Sequence, residues 1–167
     1  MIKGLRLCFL VIACGLLAAC NQAGRMNEIS RVAYTIDSGT ILPELQWYEA
    51  ITITEEGVSL TRNGKADDSQ VNAGSWQIVA DEQAVKALFD QLQGVDGSTI
   101  QRVEPQDAPD GGQTQTYSIA YGGDKELSLV FDPGTTYTNS ELLVKPIETF
   151  IQALDIPEEA TNRYLVR

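Results

Sequence analysis

The sequence contains no histidine, and its three cysteines all lie within the first 20 of its 167 residues. A chain without imidazole excludes Ser-His-Asp and Cys-His catalysis, histidine-ligated zinc and histidine-bound haem. Any catalysis would have to use carboxylates, lysine, tyrosine or a hard cation bound through oxygen ligands. We therefore expect a protein that is not an enzyme and that holds neither a metal nor a non-covalent cofactor.

Basic residues are also scarce. Lysine and arginine number 12 against 23 acidic residues, which gives a net charge of −11 and an isoelectric point near 4.3. Such a surface repels phosphate backbones and anionic head groups. The sequence shows neither a basic cluster nor a basic amphipathic helix, so nucleic acid is excluded as an expected partner. The acidity has two readings: it keeps an exported protein soluble, or it attracts a cationic partner.

The chain has one long apolar run. It extends from Leu7 to Ala19, follows a start whose charges are Lys3 and Arg6, and ends before polar Asn21. About 20 apolar residues are needed to span a bilayer, and this run has only 13. A short basic start, a short apolar stretch and small residues at its end are typical of a secretory signal peptide.

The end of the run, Leu17-Ala18-Ala19-Cys20, resembles the lipobox of bacterial lipoproteins. The resemblance covers residues 1–20 only. It implies cleavage between Ala19 and Cys20, a diacylglycerol on the Cys20 thiol, and an acyl group on the new amino terminus. In enteric-type bacteria the inner-membrane retention signal usually has Asp at the next position, so Asn21 favours the outer membrane. Two alternatives stay open: an ordinary secretory signal cut near Ala19, and a buried amino-terminal helix.

Lipidation at Cys20 would have consequences for the whole chain. The mature protein would have no second cysteine for a disulfide and no free thiol, so it would rely on its hydrophobic core. A chain of this size buries roughly 70% of its unfolded surface, which is sufficient. Two or three acyl chains anchor firmly. Residues 20–31 are the lipidated cysteine and a short polar tether, in which the ten residues 21–30 reach about 33 Å when fully extended. We therefore expect a lipid-anchored protein of the bacterial cell envelope.

Alternating apolar residues predict an antiparallel sheet. A first strand is predicted at 32–36, and a hairpin is predicted from the stretches 51–54 and 58–61, each with one apolar face. The two apolar sets share a face if residue 53 pairs with residue 58. A two-residue turn would force Glu55 and Glu56 towards positive φ, so we expect a four-residue turn that uses Gly57.

A second hairpin is predicted from residues 117–121 and 127–131. Their apolar side chains all fall at odd numbers, so pairing in register needs a loop with an odd number of residues. Gly122-Gly123-Asp124 supplies a three-residue turn with a bulge. Shorter strands are predicted at 75–79 and 99–103.

Two helices are predicted. The first is capped by Asp81 and ends at Gly94, and the second begins with Pro146 in its first turn. Each has apolar residues at positions i, i+3, i+4 and i+7, which defines one buried face. These residues are Val85, Leu88, Phe89 and Leu92 in the first helix, and Ile147, Phe150, Ile151 and Leu154 in the second.

The fold class that follows is α+β. We expect a single domain over residues 32–156, an antiparallel sheet of hairpins with two helices packed on one face. Residues 157–167 form a loose tail, with Tyr164–Val166 as an optional edge strand. The order hairpin, extended piece, helix occurs twice, which is explained either by a duplicated ββ(β)α unit or by the ordinary make-up of small α+β domains.

The acidic motifs give no convincing catalytic or metal site. Glu55 and Glu56 are adjacent and point apart, whereas glycosidase carboxylates converge across about 5 to 9 Å. The loop from Asp107 through Asp110 lacks the ligand spacing of a calcium loop. Asp67-Asp68 is interpreted as a solvated loop. Gly122-Gly123 is a turn and not a phosphate cradle, because no helix follows it.

Three aromatic residues are candidates for a binding surface. Trp47 and Tyr48 stand just before a predicted strand, and Tyr137 lies in a polar loop. An exposed aromatic side chain on an acidic surface is typical of a protein or carbohydrate contact. Core packing is the competing interpretation for each of them. If Trp47 and Tyr48 lie on opposite faces of a strand, one is buried and the other is exposed.

Three functions are therefore weighed, in this order. The first is a membrane-anchored, non-catalytic module that binds or assembles a protein or glycan of the envelope. The second is a small acidic inhibitor or immunity-like protein that blocks a basic hydrolase with the loops at 62–75 and 104–114. The third is a hydrolase that uses carboxylates.

Overall fold

The computed structural model describes residues 28–122 and 125–165. The apolar run, the Ala19–Cys20 cleavage site and Asn21 lie outside the described residues. Within the described ranges, no helix combines the length and the hydropathy that crossing a bilayer requires.

The described residues form eight strands and three α-helices. The strands are β1 (Ile29–Asp37), β2 (Trp47–Thr54), β3 (Gly57–Gly64), β4 (Gly74–Ile78), β5 (Arg102–Val103), β6 (Thr114–Tyr121), β7 (Lys125–Phe131) and β8 (Thr136–Tyr137). The helices are α1 (Glu82–Gln93), α2 (Glu141–Gln152) and α3 (Glu158–Thr161). Six strands form one antiparallel sheet in the order β4-β3-β2-β1-β6-β7, and β5 pairs with β8 in a second small sheet. The predicted α+β class and single domain are confirmed.

One face of the large sheet packs against α1 and α2. The buried side chains of the strands alternate largely with period two, and together with one stripe from each long helix they form the main hydrophobic core. The strand residues are Ile29, Val32, Ile51, Ile53, Val58, Leu60, Ile78, Tyr117, Ile119 and Leu129; the helix residues are Val85, Leu88, Phe89, Leu92, Leu143 and Ile147. Ile36, Trp47 and Val71 form a smaller second cluster. The opposite face presents mainly Ser, Thr and Ala side chains, so the predicted arrangement of helices on one face is confirmed.

The register of the first hairpin is as predicted, but its loop is shorter. Ile53 pairs with Val58, and pairing continues to Thr54 opposite Gly57. The loop is therefore the two residues Glu55 and Glu56, and the expectation of a four-residue turn is wrong. Neither glutamate has positive φ, because the residue with positive φ at this turn is Gly57, at 153°.

The second hairpin matches its prediction in register and in loop length. Tyr117 pairs with Leu129 and Ile119 with Leu127, and the last pair is Tyr121 with Lys125. The three residues 122–124 connect the strands. The loop has an odd number of residues because the apolar residues of both strands have odd numbers. A one-residue slip in the pairing would turn the apolar side chains of one strand towards solvent.

Helix α1 is capped as predicted. The Asp81 carboxylate accepts hydrogen bonds from the backbone N–H groups of Gln83 and Ala84, at 2.7 and 3.4 Å. All four residues of its predicted apolar stripe are buried. Its end differs in detail, since Gly94 keeps a right-handed conformation with φ of −84°. The glycine therefore ends the helix without the left-handed turn that often follows a helix.

Helix α2 begins five residues before the position predicted for it. It starts at Glu141, so Pro146 lies inside the helix and not in its first turn. A proline there removes one backbone donor and crowds the preceding turn, which usually disfavours this placement. Leu143 is completely buried one turn before Ile147, so the apolar stripe begins earlier than Pro146 suggests. The burial of Leu143 in that extra turn outweighs the free-energy cost of a proline inside the helix.

Both boundaries of the predicted domain need correction. Strand β1 begins at Ile29, inside the predicted tether, and the Glu28 carbonyl accepts a hydrogen bond from Gly122 N–H at 3.0 Å. The tail is not loose: it forms α3, its Ala160 is buried, and Tyr164 bridges to Val71 in an antiparallel pair. Sequence reasoning missed this because the contacts join segments about 90 residues apart.

The repeated order of elements does not extend to their pairing. Strand β4 follows the β2–β3 hairpin and joins β3 in the large sheet, whereas β8 follows the β6–β7 hairpin and leaves that sheet to pair with β5. The two halves therefore share an order of elements but use their third strand differently.

Candidate functional site

A cavity of about 550 Å³ lies between the covered face of the sheet and residues 148–163. This volume falls within the usual range for small-molecule sites. Apolar and aromatic side chains form much of its wall, and four charged side chains, Glu49, Arg62, Glu148 and Arg163, also line it. The apolar and aromatic wall includes Tyr34, Ile36, Ile51, Leu60, Ile151 and Ile156.

A buried ion pair forms the floor of the cavity. Glu49 on β2 lies directly opposite Arg62 on β3, and both Nε and Nη2 of Arg62 lie 2.6 Å from the Glu49 carboxylate. The side chains are only 9% and 3% exposed. A buried charge is tolerated only when it is paired and hydrogen-bonded. The pair meets that condition, since no buried polar side-chain atom of the described residues lacks a hydrogen-bond partner.

Arg62 also holds the carboxyl-terminal segment against the sheet. Its guanidinium donates to the carbonyl of Ala160 at 2.9 Å, to that of Asn162 at 3.0 Å and to that of Asn72 at 3.4 Å. Together with the bonds to Glu49, these contacts occupy the planar donor fork of arginine. Arg62 is therefore a structural residue with no donor left for a ligand.

Arg163 is the cation in the cavity wall that stays open to solvent. It lies 3.6 Å from Glu49, beyond good hydrogen-bond distance, and its guanidinium stacks 4.5 Å from the ring centre of Trp47. Its side chain is 45% exposed. Arg163 can therefore offer N–H donors to a ligand while the tryptophan ring fixes its position.

Two tyrosines and a glutamate form the other polar group of the cavity region. The rings of Tyr34 and Tyr117 lie 4.8 Å apart, and the Tyr117 hydroxyl donates to the Glu148 carboxylate at 2.8 Å. Burial raises the pKa of Tyr34. Burial also raises the pKa of Tyr117, and the hydrogen bond to Glu148 raises it further because it favours the protonated hydroxyl.

These raised pKa values predict a loss of stability in alkali. The unfolded chain releases its tyrosine protons near pH 10, whereas the folded chain retains those of Tyr34 and Tyr117. Their contribution is therefore complete below pH 10 and declines above it, by about 1.4 kcal/mol per pH unit for each retained proton. Urea unfolding between pH 8.5 and 11.5 measures this slope. Tyr117→Phe should reduce the slope; an equal slope in this variant and in the unchanged protein would contradict the prediction.

A second polar cluster lies at the outer edge of β7. Arg102 donates to Glu104, to Asp132 at 2.8 Å and to the Val130 carbonyl at 3.0 Å. The hydrogen bond from Arg102 lowers the pKa of Asp132. The Tyr137 hydroxyl accepts from Val130 N–H at 3.0 Å and donates to the Val130 carbonyl at 3.1 Å. The cluster occupies backbone groups that another strand would otherwise use.

The three aromatic residues predicted as a binding surface do not lie together. Trp47 is only 3% exposed, so its prediction as a surface residue is wrong and the competing core interpretation is confirmed. Tyr48 follows it in β2, points to the opposite face and is 39% exposed. Tyr137 is half-buried, packs on Phe131 and is engaged with Val130. Of the three, Tyr48 is the one that can reach a partner freely.

The acidic motifs occupy exposed positions. Glu55 and Glu56 form the β2–β3 turn, Asp67 and Asp68 lie in a surface loop, and Asp107 lies in another. Among residues 28–122 and 125–165, no three metal-binding side chains of the His, Cys, Asp or Glu type gather around one point.

The sequence contained a signal for the buried ion pair. Positions 47, 49, 51 and 53 share one face of β2, and positions 58, 60 and 62 share the matching face of β3. The register that pairs 53 with 58 also pairs Glu49 with Arg62. Two opposite charges at buried positions of paired strands predict an ion pair. Sequence reasoning missed it because β2 and β3 were each taken to be shorter than they are.

Comparison with protein-family models, with curated proteins and with solved structures finds no match. The function of the chain is therefore argued from its own residues and their geometry.

Proposed function

We propose that the protein is a lipoprotein of the bacterial cell envelope whose folded domain binds a protein or glycan partner without catalysing a reaction. The cavity carries this proposal, because it is concave and of ligand size while Glu49, Arg62 and Glu148 in its wall are already engaged with protein groups. Arg62 is paired with Glu49, and Tyr117 with Glu148. Such groups hold shape and recognise a partner, and they do not supply a free nucleophile and base.

The proposed attachment supports the same function. Lipid on Cys20 would hold the domain by the residues that precede Glu28, and eight extended residues reach about 26 Å. A domain held this close to a bilayer meets its partners at high local concentration. The resemblance of residues 17–20 to a lipobox supports lipidation, and in enteric-type bacteria Asn21 favours the outer membrane as the place where this occurs.

The attachment is tested by the intact mass of protein purified from its native membrane. We expect a chain that begins at Cys20 and carries diacylglycerol and an acyl group. A Cys20→Ser variant is the control, and it should retain residues 1–19 or be released without lipid. Native protein that retains Met1, or that has an unmodified thiol at Cys20, would contradict the proposal.

Partner binding at the cavity is tested by photo-crosslinking in intact cells. A crosslinking amino acid at Thr161, an exposed position in the cavity wall, should give one discrete adduct. Adding Arg163→Glu should weaken that adduct, since it reverses the open charge of the cavity. Gln106, exposed in the loop at 104–114 and not part of the cavity wall, is the matched position at which no adduct is expected. No adduct from Thr161 would refute the cavity as the binding site.

A second candidate function is favoured by the loop at 104–114. Asp107 and Asp110 are exposed there and form no ion pair with any described residue, so the loop presents uncompensated negative charge. An inhibitor of a basic hydrolase would use such a loop. In the same crosslinking experiment, an adduct with a basic enzyme from Gln106 and none from Thr161 would support this candidate.

A further inference from the structure

Strand β4 is an outer edge of the large sheet with no partner on its far side. Among the described strands its only neighbour is β3, to which it is paired from Ile78 opposite Val58 to Gly74 opposite Arg62. No backbone group of residues 74–80 forms a hydrogen bond beyond β3 with any other residue in the described ranges. An unpaired edge of this kind is a template for another strand.

The opposite edge of the sheet is protected. On β7, the Val130 N–H and carbonyl are both engaged by the Tyr137 hydroxyl, and Arg102 donates to the same carbonyl. The start of β7 has the charged residues Lys125 and Glu126. Capped backbone groups and charged side chains are the usual means of preventing edge-to-edge pairing. The protein therefore protects one edge of its sheet and leaves the other accessible.

The sequence of the open edge also lacks protection. Residues 74–80, Gly-Ser-Trp-Gln-Ile-Val-Ala, contain no charge and no proline, and the first charge that follows is Asp81. Val79 at the end of the strand is 92% exposed, the largest exposure among the exposed large apolar side chains of the described residues. An apolar side chain beside unpaired backbone groups favours contact with an extended peptide.

A groove beside the end of β4 indicates the charge of that peptide. It has a volume of about 460 Å³ and is lined by Gln77 and Val79 on the strand side and by residues 155–158 and Thr161 on the other. Asp155 and Glu158 are exposed in it and form no ion pair with any described residue. Two uncompensated carboxylates favour a lysine or arginine side chain. They also disfavour a second copy of this acidic chain, since edge pairing of two copies would bring like charges together.

We propose that β4 binds an extended segment of a partner protein by strand addition, with a basic side chain of that segment in the groove between Val79 and Glu158. The backbone of residues 75–79 supplies the hydrogen bonds, and Asp155 and Glu158 select the basic residue. This inference rests on the proposed binding function and names the chemistry of one partner. It does not depend on lipidation or on the cavity.

The test uses the full-length protein in mild detergent and an eight-residue synthetic peptide in which valine and threonine alternate around a central lysine. Hydrogen exchange measured by mass spectrometry should show slower exchange in residues 75–79 and no change in residues 125–131. Replacing lysine by glutamate in the peptide should weaken binding about tenfold, as should Glu158→Lys in the protein. Asp107→Lys makes the same change in net charge at a distant exposed loop and should leave the affinity unchanged.

The variant Val79→Lys is also expected to weaken peptide binding. Val79 is 92% exposed, so its replacement does not disturb the core, and thermal unfolding of each variant checks that the fold is kept. Equal binding of the lysine and glutamate peptides would overturn the proposed charge selection. Protection at 125–131 and not at 75–79 would overturn the assignment to β4. Protection of 75–79 that rises with protein concentration in the absence of peptide would show that a second copy occupies the edge. Thr161 lines both this groove and the cavity, but each of these results is read from purified protein and a synthetic peptide, so it is obtained separately from the intact mass and from crosslinking in cells.

Discussion

Replacing Arg62 by alanine is expected to lower the free energy of unfolding by about 3 to 5 kcal/mol, because it leaves Glu49 as a buried charge with its main partner removed. The guanidinium is 3% exposed and lies 2.6 Å from the carboxylate. The same change removes the donors to the Ala160 and Asn162 carbonyls. A domain is typically stable by only about 5 to 15 kcal/mol, so this loss is a large share of the total.

Urea unfolding at pH 7 measures this loss. Arg163→Ala is the matched control, since Arg163 contacts the same carboxylate from a half-exposed position at 3.6 Å, and its loss should cost about 1 kcal/mol or less. Limited proteolysis should also cut residues 157–165 sooner in Arg62→Ala than in Arg163→Ala. A change below about 1 kcal/mol for Arg62→Ala would show that the ion pair and the carbonyl contacts do not stabilise the fold.

Leu143→Ala is expected to destabilise the protein by about 2 to 5 kcal/mol, whereas Leu142→Ala should change stability by about 0.5 kcal/mol or less. The two leucines are adjacent in the first turn of α2, so helix propensity and position are nearly the same. Leu143 is completely buried, and Leu142 is 52% exposed. The difference in unfolding free energy between the two variants therefore measures the cost of the void left in the core and of the apolar area that is no longer buried.

The two leucine variants also test the observed start of α2. If the helix began at Pro146, as the sequence predicts, both leucines would precede it and neither would occupy a fixed core position. Equal and small effects of the two substitutions in urea unfolding would favour that later start. A large effect confined to Leu143 requires the first turn to be packed as the structure shows.

The parts of the fold that sequence reasoning predicted are those determined by neighbouring residues. Alternation along β2, β3, β6 and β7 gave both hairpin registers, since a slip of one residue would expose every apolar side chain of a strand. The spacing of four apolar residues and the cap at Asp81 located α1. The absence of histidine, the acidic charge and the amino-terminal motif likewise depend on composition and short patterns.

The candidate site was predicted only in part. The register of the first hairpin implies that Glu49 lies opposite Arg62, so the ion pair was present in the pattern once β2 and β3 are long enough. Trp47 and Tyr48 were separable by parity, and Trp47 falls on the core face with Ile51 and Ile53 once β2 is extended to include it. Nothing local indicated the cavity, because its far wall comes from residues 148–163, and nothing local separated Tyr137 from a free surface.

Sequence alone determined the class of the fold, the pairing within each hairpin, the first helix and the residue types absent from any site. Tertiary structure decided where α2 begins, that residues 157–165 pack against the sheet, that Arg62 has no donor left for a ligand, and that β4 is open while β7 is capped. The physical reason is the range of the interactions. Strand parity and helix caps act over a few residues, whereas Arg62 meets Ala160 and Arg102 meets Val130 only after the chain has closed on itself.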